Sequence, residues 1–554
     1  MKKVVLFIIL TSLVLPVSPA SAQENTVVTL IHFADYHSFA VPFYAEGQPD
    51  TAGIARLLAY LNPLADDAHT LILNGGDMLN VGALGWSDKY QCVEWAWFNG
   101  ISDAMAFGNH DADYGPERFA DCQSQIDYPI LGANVLDADG EPVFVYDGKT
   151  YLVFEIADVK IGVFAVAGPD FETLVKPEVR PAEGVTFDDP VAAARDVVAT
   201  LREVEEVNAV VLIGHSHYED DIALAQAVPG IDVIFGTHSH RKEALTLIPD
   251  SNTYYISAFQ YLTYLSNLEL TFSDGVLSGV QGELVQLANT LPQDLGIAQQ
   301  VAQMQADLQA DPDYADRYQP IGEAAIELST DGQFEGEALL GNLVMDIYRG
   351  TTQAHMAVAT ASSFRQPIPP GVITEEQLRM ALPYANVILV YDMTGAQIQE
   401  LLDYSVSRSE SDFFSQVSGV HFVIADGRAA NVELLSNPLD PSAGYGPLNL
   451  AATYKVATNN YQGLYASGYK EIFEPAPYVD TGIDVRDEVR KLFQDNSPVN
   501  SQLDGRISVG VAPEPVTLPA SGGVLLPDNN SRGIVLLGLV MAALGLMKLK
   551  TQRV

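Results

Sequence analysis

Cysteine is almost absent from this chain of 554 residues: Cys92 and Cys122 are the whole supply. Two cysteines make no disulfide framework. Basic residues are scarce as well, 29 against 71 acids for a net charge of −42. So acidic a surface repels nucleic acid and anionic membrane, which excludes a DNA- or RNA-binding role. Long apolar runs occur only at the two ends of the chain. Histidine is sparse, with ten copies, so its placement carries information. What remains is globular in character: 48% of residues are hydrophobic, and the length suits roughly three domain-sized units.

Both apolar ends read as addresses. Lys2-Lys3, an apolar run over residues 4–14 and the small-residue site Ala20-Ser21-Ala22 have the layout of a secretory signal peptide, residues 1–22. Export implies an oxidising compartment, where Cys92 and Cys122 either pair across the segment between them or stay as two buried thiols. At the other end, residues 511–532 form a linker carrying Leu518-Pro519-Ala520-Ser521-Gly522, and residues 533–554 an apolar run with the basic tail Lys548, Lys550 and Arg553. The order is that of a cell-wall sorting signal with Ser for Thr, or of a simple membrane tail anchor. Either one tethers the body outside the cell, at the membrane or the wall.

Between these ends, polar residues recur just past predicted strands, where α/β sheets place their ligand sites. Residues 26–33 read as a buried strand followed by Asp35 and His37; residues 70–73 precede Gly75-Gly76-Asp77. Residues 103–107 lead into Gly108-Asn109-His110-Asp111-Ala112-Asp113-Tyr114-Gly115, whose flanking glycines permit close backbone approach. Residues 129–135 read as one further strand, and 151–157 with 159–167 as a hairpin. Residues 208–213 end at His215 and His217, and 231–235 at His238 and His240, with helices over 53–61, 190–207 and 220–227. Six of the ten histidines fall in these post-strand positions. Imidazole with carboxylate and amide oxygen is the ligand set that borderline divalent metals select, and two ions are expected.

The ordered set Asp35-x-His37, Gly-Gly-Asp77, GNHDADYG, His215 and Gly-Thr-His238-Ser-His240 resembles the calcineurin-like metallophosphoesterases, and specifically the exported 5′-nucleotidase family. The resemblance implies a four-layer αββα catalytic domain over residues 26–290, joined by a helix to a smaller α/β substrate-binding domain. It implies two divalent cations (Zn, Mn, Co or Fe), one held by Asp35, His37 and His240 and the other by Asn109, His215 and His238, with Asp77 between them. His217 stands where the family usually has Gly. His110 and Asp113 would form the catalytic dyad: a carboxylate beside the imidazole raises its pKa, and the imidazolium stabilises charge on the phosphate or leaving oxygen.

Residues 291–318, rich in Gln, Ala and Asp, read as a solvated connecting helix, and 319–510 as a second α/β unit without a metal-type cluster. This unit resembles the family's substrate-binding domain, where Arg365 and Asn386 would meet the substrate and Phe414 and Tyr461 would sandwich a base. Two features depart from the pattern: Ser467 stands for the family's Asp, and Ser362-Ser363-Phe364 for the glycines before Arg365. The expected activity is therefore phosphate release from nucleoside 5′-monophosphates, extending to nucleotide sugars or 2′,3′-cyclic nucleotides. The alternatives are a non-nucleotide phosphoester or thiosulfonate-type substrate on the same metals, and a non-catalytic surface-binding protein.

Overall fold

Alternation along the first strand sets the architecture. In β1 (Asn25–Phe33), Val28 and Leu30 face one apolar layer while Ile31 and Phe33 face another, and all four are inaccessible to solvent. A strand buried on both faces must lie inside a sandwich, each such side chain contributing about 1.5–3 kcal/mol. The computed structural model describes residues 25–81 and 84–510. The leader, the LPASG segment and the apolar tail lie outside the described residues. Among the described residues no helix is long and apolar enough to cross a membrane.

The N-terminal lobe is the expected four-layer αββα arrangement. β1 pairs in parallel with β2 (Thr70–Asn74), which continues through β3 (Ala104–Ala106) to β4 (Ile130–Leu131). The second sheet contains β5 (Tyr151–Ile156), β6 (Val159–Phe164), β7 (Ala209–Leu212), β8 (Val233–Gly236), β9 (Lys242–Leu247) and β10 (Tyr254–Ala258), in the order β9-β10-β8-β7-β6-β5. β11 (Tyr264–Ser273) and β12 (Val276–Gln286) return antiparallel to complete the first sheet beside β1.

Val28, Leu30, Leu71, Ile161, Val211 and Phe235 fill the space between the sheets. Outside the first sheet pack α1 (Ile54–Leu61), α2 (Gly85–Ala96) and α3 (Pro116–Gln123); outside the second, α4 (Pro190–Glu203) and α5 (Tyr218–Ala227). A disulfide, Cys92–Cys122, ties α2 to α3.

Two local expectations change. Residues 129–135 are not one strand: the chain pairs at Ile130–Leu131, breaks, and pairs elsewhere at Val135–Leu136. Asn134 makes the break, its amide side chain donating to the carbonyls of Ala167 and Asp188. The connecting helix α6 (Leu295–Ala310) is not simply solvated either. Val301 and Leu308, seven residues apart on one face, are buried in the N-terminal core, and the Tyr90 hydroxyl donates to the Met304 carbonyl.

In the C-terminal lobe α7 (Leu339–Thr352) precedes a five-stranded sheet. Its strands are β13 (Met356–Thr360), β14 (Val387–Thr394), β15 (Ser415–Ser418), β16 (Thr453–Asn459) and β17 (Tyr478–Asp484), ordered β15-β13-β16-β14-β17. α8 (Gly395–Ser407) and α9 (Val485–Asn496) pack on it.

Candidate active site

The loops after β1, β2, β3, β7 and β8 converge on one point. Backbone bonds hold them together: Asp35 N–H donates to the Gly76 carbonyl and His37 N–H to the Asp77 carbonyl, both at 3.0 Å. The turns are tight enough that Asp35, His37, Asp77, His238 and His240 all adopt left-handed backbone, with φ of 51, 49, 54, 55 and 48°. For non-glycine residues this costs of order 1–3 kcal/mol each and persists only where the surroundings enforce it. Gly108 is required by contact: a Cβ there would lie 2.3 Å from the Asp77 amide nitrogen and Oδ1.

Asp35, His37 and His240 form one cluster of converging ligand atoms, and Asp77, His215 and His238 a second. Asp77 spans the two: its Oδ2 is 3.6 Å from Nε2 of His37 and 3.1 Å from Nε2 of His215. The outer ring nitrogens are committed to backbone, with His37 Nδ1 against the Leu79 carbonyl at 2.9 Å and His215 Nδ1 against the Gly75 carbonyl at 2.8 Å. Each Nε2 lone pair is thereby aimed inward, the usual way a metal-binding histidine is oriented. Asp35 Oδ2 and Asn109 Oδ1 are buried without a hydrogen-bond partner in the protein. Lone pairs left this way are costly unless a cation meets them, so the donor set fits divalent metal ions.

His110 sits at the rim. Its backbone N–H donates to Asp77 Oδ1 at 2.8 Å, and its Nδ1 is 2.7 Å from Asp113 Oδ2. Burial works against a charged ring, yet the Asp113 and Asp77 carboxylates prevail and push His110 up to about 10. Asp113 is itself fixed by the Val81 N–H at 3.0 Å.

A cavity of about 200 Å³ opens over this centre and is closed from above by the C-terminal lobe. Arg365, Asn386 and Tyr461 all line it, together with Tyr384 and Asp412. Phe414 does not. Its ring is fully buried in the C-terminal core with Val417 and Tyr469, and the aromatic next to the site is its neighbour Phe413, edge-on to His217 with ring centroids 5.6 Å apart. The Ser411–Phe414 turn, closed by a bond from the Phe414 N–H to the Ser411 carbonyl, turns Phe414 inward. Ser467 is exposed and lies outside the cavity lining.

Asp170 was not among the expected residues. It follows β6 as the other acids follow β1 and β2, and its Oδ2 is 3.0 Å from His217 Nε2. The same signal, a carboxylate past a strand end, would have found it.

Comparison with known proteins gives a consistent picture. Residues 28–242 match the calcineurin-like phosphoesterase family, and residues 320–474 the 5′-nucleotidase C-terminal domain. A 5′-nucleotidase of Vibrio cholerae is 25% identical over 541 residues, covering 88% of this chain and 93% of that one. The crystal structure of a 5′-nucleotidase precursor from Thermus thermophilus superposes with a TM-score of 0.70 at 27% identity, over 88% of this chain and all of that one. A sulfate thiohydrolase from the same organism has a TM-score of 0.67 over 87% of this chain and 96% of its own, at 18% identity, a likeness of fold alone.

Proposed function

We propose, for a chain that belongs to the 5′-nucleotidase family and is a metal-dependent phosphoester hydrolase, that it releases phosphate from nucleoside 5′-monophosphates using two divalent cations. The supporting observation is Asp77, whose carboxylate stands between imidazoles of both clusters at 3.6 and 3.1 Å. Asp35, His37 and His240 would hold one cation, Asn109, His215 and His238 the other, with Asp77 shared. When bound, such a pair supplies an activated water and stabilises the phosphoryl oxygens.

The chain's own groups do the rest. His110, held as imidazolium by Asp113, donates to a phosphoryl or leaving oxygen at the rim. Arg365 offers charge-assisted donors to the substrate, and Asn386 an amide. Tyr461 presents a ring for stacking on a base, worth about 1–3 kcal/mol. The lobes divide the work: residues 26–290 carry catalysis, 291–318 connect, and 319–510 select the substrate. Residues 1–22 and 511–554 support an exported, surface-tethered enzyme.

The test is phosphate release from AMP, UDP-glucose, 2′,3′-cyclic AMP and p-nitrophenyl phosphate in Mn²⁺ or Zn²⁺, with Asp77→Ala as control. Turnover of AMP well above the generic ester, abolished by Asp77→Ala, is the expected result. Turnover of the generic ester alone moves the substrate to a non-nucleotide phosphoester, and no turnover with any metal leaves a surface-binding protein.

A further inference from the structure

Beside the two clusters stands a third. Asp170, His217 and His238 bring converging ligand atoms together, and the two histidines line the cavity. Asp170 Oδ2 is 3.0 Å from His217 Nε2 and 3.8 Å from His238 Nε2. Asp170 Oδ1 and His217 Nδ1 are buried with no hydrogen-bond partner in the protein. Asp412 and Asp220 add negative charge close enough to act on the His217 ring. The three come from separate loops, after β6, β7 and β8, and the Gly168 N–H donates to the His215 carbonyl at 2.8 Å to register the first two.

We propose that Asp170, His217 and His238 form a third, outer site for a divalent cation of the Mn, Co or Zn class. The inference rests on the two-cation reading above. One carboxylate and two imidazoles are a sufficient set for such an ion, with the remaining positions open to the cavity. His217 and Asp170 belong to the outer site alone, while His238 is shared with the inner one. A neutral imidazole has a single lone pair, so His238 serves one of the two cations at a time. The inner cation keeps Asp77, Asn109 and His215 when the outer position fills, and the outer cation accordingly binds more weakly than the inner two. His217 is thus the residue that makes a third position available in this chain.

The experiment counts metal on the protein, independent of turnover. Wild type, His217→Gly and Asp170→Asn are dialysed against rising Mn²⁺, and the ion bound per chain is measured by atomic emission. The expected result is three equivalents in wild type, the third the weakest, with that equivalent lost from both variants while the first two remain. A wild-type plateau at two overturns the outer site and leaves the inner pair standing, whatever the variants do. A third equivalent retained by both variants overturns it as well. A wild-type plateau below two overturns the two-cation reading and the outer site with it.

Discussion

Arg365 of the C-terminal lobe donates a hydrogen bond to Nδ1 of His240, a residue of the Asp35–His37–His240 cluster in the N-terminal lobe. Arginine has no lone pair to offer, so Nδ1 must be the unprotonated nitrogen. The ring hydrogen then sits on Nε2, which is 3.1 Å from His37 Nε2 and 3.3 Å from Asp35 Oδ1. A cation bound to Nε2 reverses that tautomer and turns an N–H towards the guanidinium. The contact with Arg365 and ligation through Nε2 therefore compete. Arg365→Met is expected to tighten binding of the first cation by about tenfold, some 1.4 kcal/mol, in calorimetric titration. An affinity equal to or weaker than wild type would sink the idea.

Much of this centre was legible in the sequence because each polar residue lies within a few positions of a β-rich apolar run. A strand buried on both faces has to end before a carboxylate or imidazole can reach solvent, so the chain itself marks the boundary. The same logic covered Asp170 but lacked a flanking histidine or glycine pair to draw attention to it. Side-chain direction after an irregular turn was not legible. Phe413 and Phe414 are adjacent and chemically identical, and only the Ser411–Phe414 turn decides which ring faces His217. The packing of α6 was hidden differently: two buried apolar residues, Val301 and Leu308, among Gln and Asp look like a solvated helix until Trp86 and Tyr90 are known to lie against it.

Glu94 on α2 gives the site a pH-dependent foundation. It is fully buried behind His37 and accepts hydrogen bonds from Tyr36 at 2.9 Å and Ser38 at 2.7 Å, the residues flanking that histidine. Burial raises its carboxyl to about 8, outweighing those two bonds. A carboxyl that holds its proton more tightly when folded stabilises the fold fully below the usual glutamate range. That stabilisation is lost as pH rises towards 8. Each pKa unit is about 1.4 kcal/mol, so the effect amounts to a few kcal/mol. Wild type should therefore lose more in Tm between pH 5 and pH 8.5 than Glu94→Gln. Parallel Tm profiles for the two proteins would argue that Glu94 does not titrate in this range.

The Cys92–Cys122 disulfide closes a loop of 30 residues in sequence separation, and the whole GNHDADYG segment lies inside it. Loop closure of that size stabilises by about 3–4 kcal/mol through the unfolded chain. Replacing both cysteines by serine should lower the urea midpoint accordingly, and dithiothreitol should do the same to wild type while leaving the double variant unmoved. If reductant shifts neither protein, the bridge contributes nothing to stability.

Asp111 fastens the loop of Asp77 to the loop of Asn109. One of its carboxylate oxygens accepts the Met78 N–H at 2.7 Å; the other accepts the N–H groups of Gly108 at 2.7 Å and Asp77 at 3.2 Å. Asn in its place keeps the shape but replaces one of the two acceptors with an NH₂ group, which must then face a backbone donor. The Asp77 and Gly108 backbones would move apart, and with them the shared ligand and Asn109. Groups that orient metal ligands typically cost 10–100-fold in affinity or activity when lost. Asp111→Asn should therefore bind Mn²⁺ about 10–100-fold more weakly, with the loss appearing in kcat at limiting metal and partly recovered at high metal. A purely structural role would instead lower Tm and leave the Mn²⁺ affinity of the folded fraction unchanged, so the two measurements together separate the roles.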